Sequence, residues 1–372
     1  MTSRSKNFSY LTMGQITANT FHAIFFLMFA SILEPNKYGE LSFWISVAGM
    51  ASVLSRFGMT YTVTVYQAKG NSILSNQANV LVIITSGFAA LILLPIDAFA
   101  AFLSLGFSFF YMNQYNLLGL KKYKKLAITL IIRSILFILL PILFYFTIGF
   151  LGILLGIALA NIICSFSYIK SLDRKINSFN DLKNNFKVII HNFGVELSLT
   201  LPTLVDKLVI VPLLGFITVG IYTFNFQILV GLGVLPAIIH GFLLTEESNG
   251  RISNKIIYLV IMGSVILVIL TIIFSPFLVN LFFPKFIEGI QSLQIIIISL
   301  IPLSISSIFN AKLQAHESIT VGYSLIVRIG SLLVLIVILG NLYGLTGLSL
   351  AVLISTSCYA AFLYYLYRKI KI

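Results

Sequence analysis

The feature that most constrains this chain is how its charges are spaced. Apolar stretches of about 20 residues, each long enough to cross a hydrocarbon layer as a helix, follow one another almost from end to end. Most charged residues fall in the short gaps between them. Where water is absent, every backbone N–H and C=O must be paired inside the chain, so such stretches have to be helical. Only 9% of the 372 residues are charged and 59% are hydrophobic, against about 25% charged in soluble domains. A soluble core of this size cannot hide that much apolar surface. That excludes a soluble globular domain, a disordered chain and a nucleic-acid-binding protein together. The fold class expected is an all-α polytopic membrane protein.

A 20-residue ruler predicts twelve transmembrane helices. The first six lie at 8–32, 39–66, 77–95, 98–118, 126–148 and 150–169, and the second six at 188–213, 217–244, 255–281, 288–311, 319–340 and 345–367. A polar linker, 171–187, divides an N-terminal six-helix lobe over 1–170 from a C-terminal six-helix lobe over 188–372. Of the 24 Lys and Arg, Lys37 and Lys285 alone fall in the gaps of one side, and Arg56, Arg133, Lys207 and Arg328 fall inside spans. The other 18 gather on the opposite side. Positive charge is retained in the cytoplasm. Both termini are therefore expected there, with the protein in the cell (inner) membrane, and the net charge of +13 is a topology signal. The N-terminal apolar run is too long for a cleavable leader and carries Gln15, Asn19 and His22. Cys164 and Cys358 lie in apolar runs and make neither a disulfide framework nor a zinc spacing.

The two halves resemble each other. At an offset of 195, Arg133 falls on Arg328, Gly149 on Gly344 and Gly152 on Gly347, with Leu118/Leu313 and Leu130/Leu325 in the same register. At another offset, NKYGELSFWIS (36–46) matches ITVGIYTFNFQ (217–227) and aligns Gly39 with Gly220. Repeats with an even number of spans share one orientation, so they relate by a pseudo-twofold axis along the membrane normal. That is a common arrangement of transporter halves around a central cavity.

Three stretches carry a resemblance to a known family. They are ILEPNKYGELSFWISVAGMASVLSRFGM (32–59), PTLVDKLVIVPLLGFITVGIYTFNFQI (202–228) and LFFPKFIEGIQSLQIIIIS (281–299). The chain resembles the polysaccharide and O-antigen flippases of the multidrug/oligosaccharidyl-lipid/polysaccharide (MOP) superfamily. The resemblance runs over essentially the whole chain. It implies two six-helix lobes, alternating access, and movement of a lipid-linked oligosaccharide from the inner to the outer leaflet for surface polysaccharide or O-antigen synthesis. It also implies membrane lipids and other glycan-assembly membrane proteins as partners. Position 56 is Arg where the family commonly carries an acidic or small residue.

Four cations inside spans ask for a reason, since each costs roughly 2.5–3.5 kcal/mol at the bilayer centre even on the lenient insertion scale. A cationic cavity is one answer. The phosphate or pyrophosphate of a lipid-linked sugar must cross hydrocarbon, and Arg presents a planar fork that fits phosphate oxygens. Arg56, Lys207, Arg133 and Arg328 are thus the candidate substrate-binding residues. Arg133 and Arg328 lie close enough to the interface that snorkelling is the competing account. Asp206 is the deep acid. Neighbouring positions on a helix do not face each other, so it need not pair with Lys207; it either pairs with a cation on another span or couples transport to protons. Glu196 lies nearer the inner end of the same span.

Polar residues in spans (Gln15, Asn19 and His22; Asn113, Gln114 and Asn116; Asn225 and Gln227) fit either sugar hydroxyls or interhelical hydrogen bonds. The KKYKK run at 121–125 fits headgroups or the topology signal. Pro141, Pro202, Pro236 and Pro302 are expected to kink spans. No phosphate-binding Walker loop occurs, and no cofactor, metal or nucleic-acid partner is expected. An enzyme is disfavoured because the outer gaps hold no room for a catalytic domain. A MATE-like exporter of small cations would want more acids inside, and a polytopic scaffold of a glycan assembly complex stays open.

Overall fold

The computed structural model describes residues 3–170, 179–234, 254–315 and 321–369. Among these the chain is helical, with no strand. In chain order the helices are α1 (Ser3–Ile32), α2 (Pro35–Arg56), α3 (Met59–Ala68), α4 (Ser72–Leu93), α5 (Ala98–Gly119), α6 (Tyr123–Ile148), α7 (Phe150–Cys164), α8 (Phe166–Lys170), α9 (Asn180–Asn184) and α10 (Phe186–Leu232). After residue 253 come α11 (Asn254–Phe282), a 3-10 turn (Pro284–Gly289), α12 (Ile290–Ile297), α13 (Leu300–Ala315) and α14 (Val321–Lys369). Among the described residues, seven helices are long and apolar enough to cross a membrane, or up to eight if the bent pair α2–α3 forms one span. The protein is thus a multi-pass, all-α membrane protein.

The ends of these helices follow from local chemistry. The Asn71 side chain accepts the Leu74 N–H at 3.0 Å to start α4, and Asp97 accepts the Ala100 N–H at 2.6 Å to start α5, each satisfying an orphan donor of a first turn. Glycine in the left-handed region makes the sharp reversals. Gly149 (φ 85) separates α6 from α7, while Gly215 (φ 78) and Gly344 (φ 57) interrupt α10 and α14. The last two fall in gaps that the sequence placed at 214–216 and 341–344. Two breaks went unforeseen. The expected span 39–66 bends by 48° between α2 and α3, where Phe57 (φ 44) and Gly58 (φ 74) are both left-handed. The expected span 288–311 is divided between α12 and α13 at Ile298–Ser299. Of the expected proline kinks, Pro141 lies buried inside α6, and Pro236 lies outside the described residues.

The chain forms two compact units: Met1–Phe25 with Trp44–Leu204, and Phe26–Phe43 with Val205–Ile372. In the first, α3, α4 and α5 pack on one another around Met59, Val63, Leu74, Ala78, Val82 and Met112. There α7 lies between α5 and α6. Close approach comes from small residues, as in helix packing within lipid. A Cβ added at Gly152 would overlap the Phe144 carbonyl, and one at Gly156 the backbone of Leu140 and Pro141. In the second unit α11, α12 and α13 pack together and α13 packs on α14. A Cβ at Gly347 would overlap the carbonyl of Leu339. Gly152 on Phe144 and Gly347 on Leu339 are the same contact 195 residues apart, the offset of the internal repeat. The outward faces of α6 and α11 are apolar: Leu139, Leu143 and Phe146 on α6, and Met262, Ile269, Ile273 and Phe277 on α11, are all exposed. Such faces suit lipid, not water.

Candidate functional site

In the first unit, Arg56 ends α2 at the bend. Its Nε and Nη2 meet Glu196 Oε1 at 2.9 and 2.8 Å, and its Nη1 donates to the Ser52 hydroxyl. The other carboxylate oxygen, Glu196 Oε2, accepts the Thr60 hydroxyl at 3.0 Å. The guanidinium lies 4.6 Å from the centre of the Tyr111 ring. Around this pair runs a chain of hydroxyls: Ser108 donates to Ser52 at 3.0 Å and lies 3.2 Å from Ser55. Arg56 and Glu196 are only 2% and 4% exposed. Such a pair in low dielectric depends on further hydrogen bonds to its remaining donors and acceptors, and here each guanidinium nitrogen and each carboxylate oxygen has a partner.

The preceding residue of α5, Phe110, meets the second cation. Arg133, on α6, stands 4.3 Å from the Phe110 ring and 4.9 Å from the Phe137 ring. Its Nε donates to Asn161 Oδ1 at 2.8 Å, and Asn161 is itself held by the Ile157 carbonyl. Arg133 is half-buried, and among the described residues no acidic side chain lies within ion-pair distance of it. Arg56 and Arg133 therefore flank one turn of α5, through Tyr111 and Phe110. On α1, Gln15, Asn19 and His22 fall on one face and are exposed, and the His22 ring sits 5.7 Å from Phe137.

The second unit holds the other two cations. Lys207 Nζ reaches Asp206 Oδ1 at 3.0 Å and Oδ2 at 3.2 Å. Asp206 also accepts the Lys207 backbone N–H at 2.8 Å and the Tyr222 hydroxyl at 2.9 Å. Among the described residues Asp206 thus pairs with the adjacent Lys207, where the sequence pointed to a cation on another span. The four-carbon lysine stem curls back along the helix, and in a buried site the nearest anion wins. Lys207 also lies 5.5 Å from the Phe226 ring. Arg328, half-buried, stands 5.4 Å from the Tyr359 ring, with no acid in ion-pair distance among the described residues.

All four intramembrane cations thus stand over aromatic faces, an arrangement that holds charge in a poorly hydrated place. Two of them, Arg56 and Lys207, are already neutralised, and two, Arg133 and Arg328, have no acid in ion-pair distance among the described residues. The sequence marked every cation. It ranked Glu196 low and missed the aromatic partners. Glu196 is an acid inside a span, and that signal pointed to it.

Architecture and chemistry together describe a polytopic membrane protein with cations stored between its helices. Residues 5–118 match the family described as polysaccharide biosynthesis protein. The fold matches that of solved flippase and transporter structures. An inward closed conformation of the lipid II flippase MurJ superposes with a TM-score of 0.79 over 97% of this chain and 87% of that chain, at 14% identity. An inward-facing multidrug resistance MATE family transporter follows at 0.68, over 96% and 94%, with 15% identity. A MOP superfamily transporter from Pyrococcus furiosus, described as having a binding pocket of reverse polarity, reaches 0.59 over 98% and 95%, with 14% identity. An uncharacterized membrane protein of Methanocaldococcus jannaschii is 28% identical over 269 residues, spanning 64% of this chain and 63% of that relative's length.

Proposed function

We propose that the protein is a flippase that moves a polyprenyl phosphate- or pyrophosphate-linked oligosaccharide from the inner to the outer leaflet for surface polysaccharide or O-antigen synthesis. Twelve spans in two six-helix lobes, 1–170 and 188–372 joined by 171–187, would provide alternating access in the inner membrane with both termini cytoplasmic. The observation that carries the reading is Arg133: a half-buried guanidinium positioned by Asn161 and two rings, with no acid in ion-pair distance among the described residues. Such a group suits a visiting phosphate, and Arg328 offers a second one. Lys207 and Arg56 take part once their own carboxylates are exchanged, with Asp206 as the resident counter-ion of Lys207. The exposed polar face of α1, beside Phe137, would meet sugar hydroxyls. The likeness to MurJ and the match over residues 5–118 support the same reading.

An exporter of small cations is less well supported. It needs an uncompensated buried acid, and among the described residues the two buried acids, Glu196 and Asp206, are consumed by ion pairs. The test is transbilayer movement of a fluorescent polyprenyl diphosphate sugar in proteoliposomes. Wild type should flip it, and Arg133→Gln should lower the rate at least about tenfold, the equivalent of about 1.4 kcal/mol. Equal rates with and without protein would overturn the reading.

A further inference from the structure

The Arg56–Glu196 pair lies at a break in the chain, and nothing in its packing requires a charge there. Replacing a buried ion pair by apolar residues is often neutral or stabilising, so stability alone does not account for it. Three features set it apart. First, the carboxylate occupies the guanidinium as a phosphate would: Nε and Nη2 are both directed at it, at 2.9 and 2.8 Å. Second, two hydroxyls stand beside the pair, Ser52 accepting from Arg56 and Thr60 donating to Glu196, and hydroxyls of this kind bind phosphoryl oxygens. Third, the pair fastens a hinge. It joins the α2–α3 bend at Phe57–Gly58 to the start of α10. Phe57 packs on Phe193 with ring centres 4.4 Å apart, and Asn192 donates to the Thr62 hydroxyl at 2.9 Å.

We propose that Arg56 is an anion site filled by the protein's own Glu196 carboxylate, and that the phosphate or diphosphate of the lipid-linked substrate takes that carboxylate's place. This inference rests on the flippase reading. A phosphate binds an Arg fork with geometry like that of a carboxylate and carries more charge. When it enters, Glu196 leaves for water together with the α10 segment that bears it. Exchange of one anion for another then couples substrate binding to release of the α2–α3/α10 contact, with no net charge left uncompensated at Arg56.

The experiment uses the full chain in lipid vesicles with Cys164→Ala and Cys358→Ala, and a reporter pair Thr62→Cys and Asn192→Cys. A prenyl diphosphate should slow oxidative cross-linking of the pair by about fivefold or more, a coupling of ordinary allosteric size. The prenol of equal length should not, and Arg56→Lys should remove the response. Glu196→Gln should bind the fluorescent prenyl diphosphate more tightly, since the internal competitor is gone. If inorganic pyrophosphate slows cross-linking as well, the headgroup suffices. A need for the prenyl chain assigns the site to the lipid-linked form. Slowing by phosphatidylglycerol alone would overturn the substrate assignment, the site then serving ordinary headgroups. Binding of the diphosphate with unchanged cross-linking would overturn this inference and leave the flippase reading standing. No binding at all would overturn both.

Discussion

At the scale of single residues, the chemistry of this protein is a matter of which charges are already answered. Arg56 and Lys207 have carboxylates at 2.8 and 3.0 Å, whereas Arg133 leans on aromatic faces and an amide. A buried pair broken on one side leaves a bare charge, at a cost of about 3–5 kcal/mol. Arg56→Gln or Glu196→Gln alone should therefore lower thermal stability in detergent much more than the double substitution does, as a double-mutant cycle will show. Full additivity of the two losses would contradict the pairing. Asn161→Leu removes the acceptor of Arg133 Nε and should cost about 1–3 kcal/mol, read in the same assay. The four cations were legible from their positions inside apolar runs. Their partners were not, because Glu196 lies 140 positions from Arg56 and periodicity along one helix carries no information about which helix it will meet.

Helices in this fold approach each other through glycine. The contact of Gly152 with Phe144 recurs as Gly347 with Leu339, which gives the sequence repeat a physical cause: both positions admit no side chain. The crossing of Gly39 and Gly220 in the second unit is reciprocal. A Cβ at Gly39 would overlap the Phe216 carbonyl, and one at Gly220 the Pro35 carbonyl, each four residues before the facing glycine. These two glycines were aligned as repeat equivalents from sequence, and here they touch. Gly39→Ala, Gly220→Ala and Gly347→Ala should each destabilise the protein in thermal unfolding. Gly263→Ala, in mid-α11 with nothing within 4 Å, should be neutral or gain up to about 1 kcal/mol from helix propensity. A loss at Gly263 equal to that at Gly39 would refute the account. The repeat, the reversals at Gly215 and Gly344 and the helix class were readable because glycine and apolar runs are local signals. The bend after Arg56 was not, since it places Phe57 at φ 44, a conformation that tertiary packing imposes on a residue that does not favour it.

For the molecule as a whole, charge distribution is the strongest constraint. Eighteen Lys and Arg lie on one side of the expected bilayer, against Lys37 and Lys285 on the other. The latter two meet Glu40 and Glu34 respectively. Cysteine placed at Lys37 or Lys285 should react with an impermeant thiol reagent added outside intact cells. Cysteine at Lys121 or Lys183 should react only after the membrane is opened. The reverse pattern would invert the orientation and with it the direction of transport. The central claim is that this protein carries a lipid-linked oligosaccharide across the membrane, and the most direct measurement is the leaflet in which that intermediate resides. In cells lacking the protein it should accumulate on the cytoplasmic leaflet, wild type should clear it, and Arg133→Gln, present in the membrane at the wild-type level, should not. An outer-leaflet fraction that is the same with and without the protein would contradict the account.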